Sequence, residues 1–171
     1  MAGRMAAYIL GYLSGETMSI TERLRELSIE LPGLPKPGGS YVPFRRHGDL
    51  VYLAGQTSSR DGKAVYSGPL QEPEDVEQGY AAARLCGVNL LAALAQACDG
   101  DLDRVGGCLK VNGFVLAGPA FESVPAVVNG ASDLFVEVFG EAGRHARSAV
   151  GVAVLPRNAS VEVEAIFFLK S

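Results

Sequence analysis

A chain of 171 residues, 48% hydrophobic and 20% charged, has the balance of one compact globular domain with a single core. Its net charge of −4 and pI near 5.2 argue against nucleic acid as a partner, because that affinity comes largely from Lys and Arg neutralising phosphates; a local basic patch stays open. Cys86, Cys98 and Cys108 are odd in number and show neither CxxC spacing nor His/Cys clustering, which suggests no disulfide framework and no zinc site and suits a cytoplasmic location. No metal and no cofactor is expected.

Arg4 and the apolar run from Met5 to Leu13 imitate a signal peptide, but no A-x-A cleavage site follows and the run is too short to span a bilayer, so no membrane is expected. Met18-Ser19 reads as a second start, which makes residues 1–17 a dispensable N-terminal extension. Ser19-Ile20-Thr21-Glu22 has the S-x-x-E form of a capping box, and Ile20, Leu24 and Leu27 recur at helical spacing. A short amphipathic helix and the Pro/Gly-rich linker 31–39 therefore fill residues 18–39, and the domain proper spans 40–171.

Within the domain, 41–46 and 50–54 are β-prone runs joined by His47-Gly48-Asp49, and a looser strand follows the Asp61-Gly62 turn signal at 63–66. A long helix runs from Pro73 to Cys98, with Glu74, Asp75 and Glu77 near its positive end. A strand at 109–116, a helix at 121–139 and two strands at 147–155 and 160–169 complete the chain. The order β-β-β-α-β-α-β-β implies an α+β domain, a sheet with both long helices packed on one face. Its other face needs a cover, and oligomerisation through the apolar strand Val150 to Val154 is one way to supply it.

Chemistry concentrates at His145-Ala146-Arg147-Ser148-Ala149-Val150, then Leu155-Pro156 and Val161-Glu162-Val163-Glu164-Ala165. Together with Gly39-Ser40-Tyr41-Val42, Gly48, Ala54-Gly55-Gln56, Asn89 and Asn129, this series resembles the YjgF/RidA family over residues 39–169. The resemblance implies a mixed sheet of the chorismate-mutase-like/YjgF fold and a homotrimer with ligand clefts between subunits. It also implies that Arg147 clamps a substrate carboxylate, a task suited to a planar, permanently charged guanidinium. Glu162 matches the family acid that activates water or moves protons, and partial burial would raise its pKa toward neutrality. Tyr41 matches a cleft-lining tyrosine and Asn129 falls within a residue of the family asparagine.

Plainer roles stand beside these. From spacing alone, Glu162 is one of two solvated carboxylates on a strand face and Arg147 the ion-pair partner of one of them. Tyr41 reads as a half-buried strand aromatic, Asn89 as a helix-packing polar residue, and Asn129 as a helix-surface residue or a local backbone capper. His145 is a substrate-site acid or base, or a loop histidine with a satisfied hydrogen bond. The enamine/imine deaminases carry Ser-Gly-Gln, Pro-Ala-Arg and Ser-Cys-Val where this chain has Ala54-Gly55-Gln56, His145-Ala146-Arg147 and Ser148-Ala149-Val150, so it resembles a divergent branch lacking one hydroxyl and one thiol. Three functions compete: an imine/enamine hydrolase releasing a 2-keto acid and ammonia, a non-catalytic metabolite binder using the same clamp, and an endoribonuclease or translation inhibitor, against which the acidic pI counts.

One distance tests the clamp. If the last two strands formed a hairpin, Glu162 would oppose Ala153 and leave Arg147 about 20 Å away at ~3.3 Å per residue. Either those strands are not neighbours, or Arg147 and Glu162 meet across two subunits.

Overall fold

The structure is a computed structural model that describes residues 18–34 and 39–170; the proposed extension 1–17, linker residues 35–38 and residue 171 lie outside the described residues. Helix α1 (Ile20–Glu26) opens on the capping box expected of its sequence: the Ser19 hydroxyl accepts from the Glu22 amide at 3.2 Å, and the Glu22 carboxylate accepts from the Ser19 amide at 3.0 Å. Its Leu24 is buried in the main core.

Strands β1 (Phe44–His47) and β2 (Leu50–Thr57) form a hairpin whose two-residue loop places Gly48 at φ 58°, a value glycine reaches without a Cβ penalty. The looser strand expected at 63–66 is instead a two-residue pair, β3 (Ser59–Arg60) with β4 (Lys63–Ala64), closed by Asp61 at φ 51° and Gly62 at φ 74°. Two positive φ angles in succession are what a type I′ turn requires. Helix α2 (Asp75–Ala97), β5 (Val105–Leu116), α3 (Val124–Phe139), β6 (Ala146–Val152) and β7 (Val161–Leu169) follow.

The five-stranded sheet has the order β1-β2-β7-β5-β6. Every neighbouring pair is antiparallel except β5 with β6, so the sheet is mixed. The last two strands are therefore not neighbours, since β5 lies between them. Alternation along β7 is regular: Val161, Val163, Ala165, Phe167 and Leu169 are buried beneath the helices, whereas Glu162, Glu164, Ile166 and Phe168 stand on the opposite face. Helices α2 and α3 cover the buried face and pack closely on each other, because Gly130 of α3 lies where any Cβ would strike the Tyr80 backbone carbonyl. Phe135 and Phe167 join the two layers edge-to-face at 5.3 Å. The other face stays open, with Tyr52 and Val150 exposed on it and Phe168 partly so.

Strand β5 begins at Val105, not at 109. Gly106 and Gly107 follow it, and they are needed because the Phe168 ring of β7 occupies the space their side chains would take. At its other end β6 stops at Val152, and a 3₁₀ turn at Pro156–Asn158, with Arg157 at φ 55°, begins the return to β7.

Candidate functional site

Two clusters carry the predicted residues, and they lie on opposite faces of the sheet. The first joins α3 to the edge strand β6. Arg147 points toward the helices, where one guanidinium nitrogen, Nη1, donates to Asn129 Oδ1 at 2.8 Å and to Ser132 Oγ at 3.0 Å, and Nη2 donates to the Pro125 carbonyl at 3.2 Å. All three acceptors are neutral. No carboxylate pairs with Arg147 among the described residues, so the ion-pair reading of this arginine does not hold. A guanidinium has more donors than these three bonds use, and Nε with the second hydrogen of Nη2 forms an unengaged edge among the described residues.

His145 closes this cluster from the loop before β6. Its Nδ1 lies 2.7 Å from the Gly143 carbonyl, which can only accept, so Nδ1 carries the proton. Its Nε2 is 3.0 Å from Ser132 Oγ. Burial holds its pKa below the ordinary value of 6.5, the Gly143 carbonyl opposes that shift, and the Arg147 charge adds to it. The ring is thereby neutral near pH 7. Sequence reasoning missed Ser132, although Pro125, Asn129 and Ser132 fall at i, i+4 and i+7, one stripe of a helix.

The second cluster lies on the open face. Glu162 leans across the sheet onto Gly55 of β2, where a Cβ would overlap its carboxylate, and β2 shifts register between Leu53 and Gln56 at that point. This explains the glycine within Ala54-Gly55-Gln56. Glu162 makes no side-chain hydrogen bond among the described residues, whereas Glu164 accepts from Asn112 Nδ2 at 2.8 Å. Burial raises the Glu162 pKa above its ordinary 4.5, and the Glu164 charge adds to the rise. Beside it a groove of about 320 Å³ is lined by Arg45, Tyr52, Ala54, Lys110, Asn112 and Glu164. Behind Glu162, Cys86 is buried against the Val161 carbonyl, and burial pushes its thiol well up, so it is no substitute for the missing family thiol.

Tyr41 precedes β1 instead of lying within a strand, and is 58% exposed. Asn89 donates to the carbonyls of Thr57 at 3.2 Å and Ser59 at 2.9 Å, which ties α2 to the turn between β2 and β3. Arg147 stands level with Val111 on β5 and Glu162 with Phe114, two strands and three residues apart. At ~4.8 Å per strand and ~3.3 Å per residue their backbones are about 14 Å apart. Their side chains also leave opposite faces, so one small ligand in a single subunit does not touch both. Among the described residues no group of three or more His, Cys, Asp or Glu side chains is placed to hold a metal ion.

The family described as "YjgF/chorismate mutase-like, putative endoribonuclease" matches residues 21–168. This chain belongs to that family. It is 42% identical over 153 residues to protein TCP17 of Trypanosoma cruzi, covering 89% of this chain and 95% of that one. It is 31% identical over 144 residues to a 2-iminobutanoate/2-iminopropanoate deaminase of Dermatophagoides farinae, covering 83% and 95%. Among solved structures, protein Atu1372 of Agrobacterium tumefaciens, of unknown function, is similar at a TM-score of 0.81 with 44% identity, covering 90% of this chain and 94% of that one. YjgF-family membership and a deaminase relative fit a small-molecule-binding or imine-deaminase role. No described helix is long and apolar enough to cross a membrane.

Proposed function

We propose that this protein binds small carboxylate-bearing metabolites in clefts between copies of itself and hydrolyses 2-imino acids or their enamine tautomers to 2-keto acids and ammonia. The observation that carries the reading is the neutral cradle of Arg147: a cation fixed by Pro125, Asn129 and Ser132, with no carboxylate paired to it and the Nε–Nη2 edge unengaged among the described residues. A partly desolvated charge without a counter-charge is costly unless something outside the chain completes it. A planar carboxylate fits that edge through two parallel bonds.

Glu162 supplies the complementary chemistry. With its pKa raised by burial it takes and returns a proton nearer neutral pH than an ordinary carboxylate. In the proposed reaction a water oxygen bonds to the imine carbon while Glu162 takes the water's proton. Glu162 returns that proton to the nitrogen, then passes on the proton of the carbinolamine hydroxyl in the same way, so that the carbon–nitrogen bond breaks with both water protons on the departing ammonia and the oxygen left as the keto group. The deaminase relative acts on substrates of this class by name. Because Arg147 and Glu162 occupy opposite faces, a copy must bring its own Arg147 edge to this chain's open face, and the exposed apolar side chains there suit burial against a copy. A homotrimer is the proposed assembly.

The test generates 2-aminoacrylate in situ with a lyase and follows keto-acid release. Acceleration by this protein, lost in Glu162→Gln, supports the reading. Release at the same rate with and without the protein, while 2-oxobutanoate still binds, would make it a binder without turnover. Sedimentation at about 18 kDa under micromolar conditions would remove the interface cleft.

A further inference from the structure

The contacts around Arg147 contain a hydrogen-bond relay that the proposed clamp does not by itself require. The Gly143 carbonyl fixes the His145 proton on Nδ1 and leaves Nε2 bare. A bare nitrogen 3.0 Å from Ser132 Oγ accepts the serine hydroxyl proton. With its proton committed to His145, the Ser132 oxygen turns its lone pairs elsewhere, and Nη1 of Arg147 donates into them at 3.0 Å. The imidazole is itself fixed, packed edge-to-face on Phe135 with ring centroids 6.0 Å apart. One Nη1 hydrogen goes to Ser132 and the other to Asn129, and the direction runs from Arg147 through Ser132 to His145.

We propose that Ser132 and His145 are positioning residues for the ligand carboxylate: the Nδ1-protonated imidazole orients the Ser132 hydroxyl, which holds the Arg147 guanidinium with its Nε–Nη2 edge free for bidentate capture. The proposal rests on the carboxylate-clamp reading and adds to it two residues that never touch the ligand. Asn129 and Pro125 fix where the guanidinium sits along α3. Ser132 supplies the third point, and three points define the plane in which a fork meets a planar anion. If the imidazole proton sat on Nε2 instead, two donors would converge on the serine oxygen and its own proton would have no acceptor in the relay.

Two measurements on the intact protein decide it. ¹⁵N NMR of the imidazole at neutral pH reads the tautomer without any ligand, and the expected pattern is Nδ1 protonated with Nε2 bare. Calorimetry with 2-oxobutanoate then compares variants that are fully folded at the assay temperature. Ser132→Ala is expected to weaken binding about tenfold, the effect of losing one hydrogen bond to a charged group. His145→Leu is expected to match it, and the Ser132→Ala/His145→Leu double variant to be no weaker than either single, because both act through one bond. His145→Gln, which keeps an acceptor near the Nε2 position, recovers most of what His145→Leu loses; a merely space-filling histidine would show no such rescue. An Nε2-protonated ring, or full affinity in Ser132→Ala alongside loss in Arg147→Ala, overturns the relay and leaves the clamp standing. Full affinity in Arg147→Ala, or no binding to the unaltered protein, overturns the clamp and the relay with it.

Discussion

Replacing Gly55 with alanine separates the stability of the fold from the placement of its proposed base. The new methyl would overlap Oε1 of Glu162 and lie 3.0 Å from Cδ and 3.3 Å from Cγ, all inside ordinary van der Waals distance. Each of these atoms belongs to the flexible end of a side chain, so Glu162 moves and the backbone does not. Restoring contact at about 3.4 Å displaces the carboxylate by more than ~1 Å, at roughly 0.5–1.5 kcal/mol for a strained rotamer. Loss of glycine's freedom in the unfolded chain offsets about 0.4–1 kcal/mol of that. The net change stays within about 1 kcal/mol, or roughly 2–4 °C in thermal midpoint for a domain of this size. Turnover is expected to fall on the order of 100-fold, the scale set by ~1 Å misplacement of a reacting group. Circular dichroism melts and initial rates with imine generated in situ measure the two quantities on one preparation. A midpoint lowered by more than about 10 °C would show that the β2 backbone, not Glu162, dictates the glycine; unchanged turnover would sink the assignment of Glu162 as the base.

Arg147→Ala is expected to weaken 2-oxobutanoate binding by about ten- to a hundredfold in calorimetry, with Arg147→Lys recovering only part because it restores the charge without the fork. The alanine variant also lowers the thermal midpoint, since three bonds between β6 and α3 are lost. Glu162→Gln is expected to be more stable than the parent at pH 8, with the gap closing by about pH 4. The Glu162 pKa is raised above 4.5 in the folded chain, so the penalty for ionising it is absent below the unfolded value and complete above the folded one. Urea melts across that range check the sign, and a destabilised Glu162→Gln at pH 8 would mean that a cation already satisfies the carboxylate.

What the sequence made legible was local. The S-x-x-E cap, the Asp61-Gly62 turn and the apolar alternation of β7 follow from contacts within a few residues, and each stands where its spacing placed it. Contacts distant in sequence were harder to read. The start of β5 at Val105 was not legible, because Gly106 and Gly107 owe their place to Phe168, some sixty residues away on another strand. Gly55 is required by Glu162, more than a hundred residues on. Strand parity shows that Glu162 and Glu164 share a face, but which face, and whether Arg147 shares it, depends on β5 entering between β6 and β7. Ser132 was within reach, since the helical stripe holding Asn129 and Pro125 includes it.

The separation of Arg147 from Glu162 leads to a last prediction. Even at the ~14 Å that separates their backbones, two unit charges would attract by only ~0.3 kcal/mol in water, too little for either to be kept for the other's sake within one chain. A 2-imino acid carries its carboxylate on the carbon that water attacks, so a catalysing site must bring the Arg147 fork and the Glu162 carboxylate within a few ångströms of adjacent ligand atoms. Within one chain the two groups leave opposite faces of the sheet, so the proposed cleft takes one from each of two copies. Arg147→Ala and Glu162→Gln subunits, assayed at a substrate concentration where each alone turns over little, should therefore restore turnover when refolded together. A cleft that takes its arginine from the Glu162→Gln copy and its glutamate from the Arg147→Ala copy has both groups intact. Random mixing of equal amounts gives about a quarter of the clefts that pairing in a cyclic assembly. Recovery near a quarter of the parent rate supports a shared cleft, and the same mixing with the Arg147→Ala/Glu162→Gln double variant in place of either single should restore nothing. Mixed assemblies of the two single variants that form but stay inactive would mean that the two residues do not act across one interface, and that one of them has no part in the chemistry.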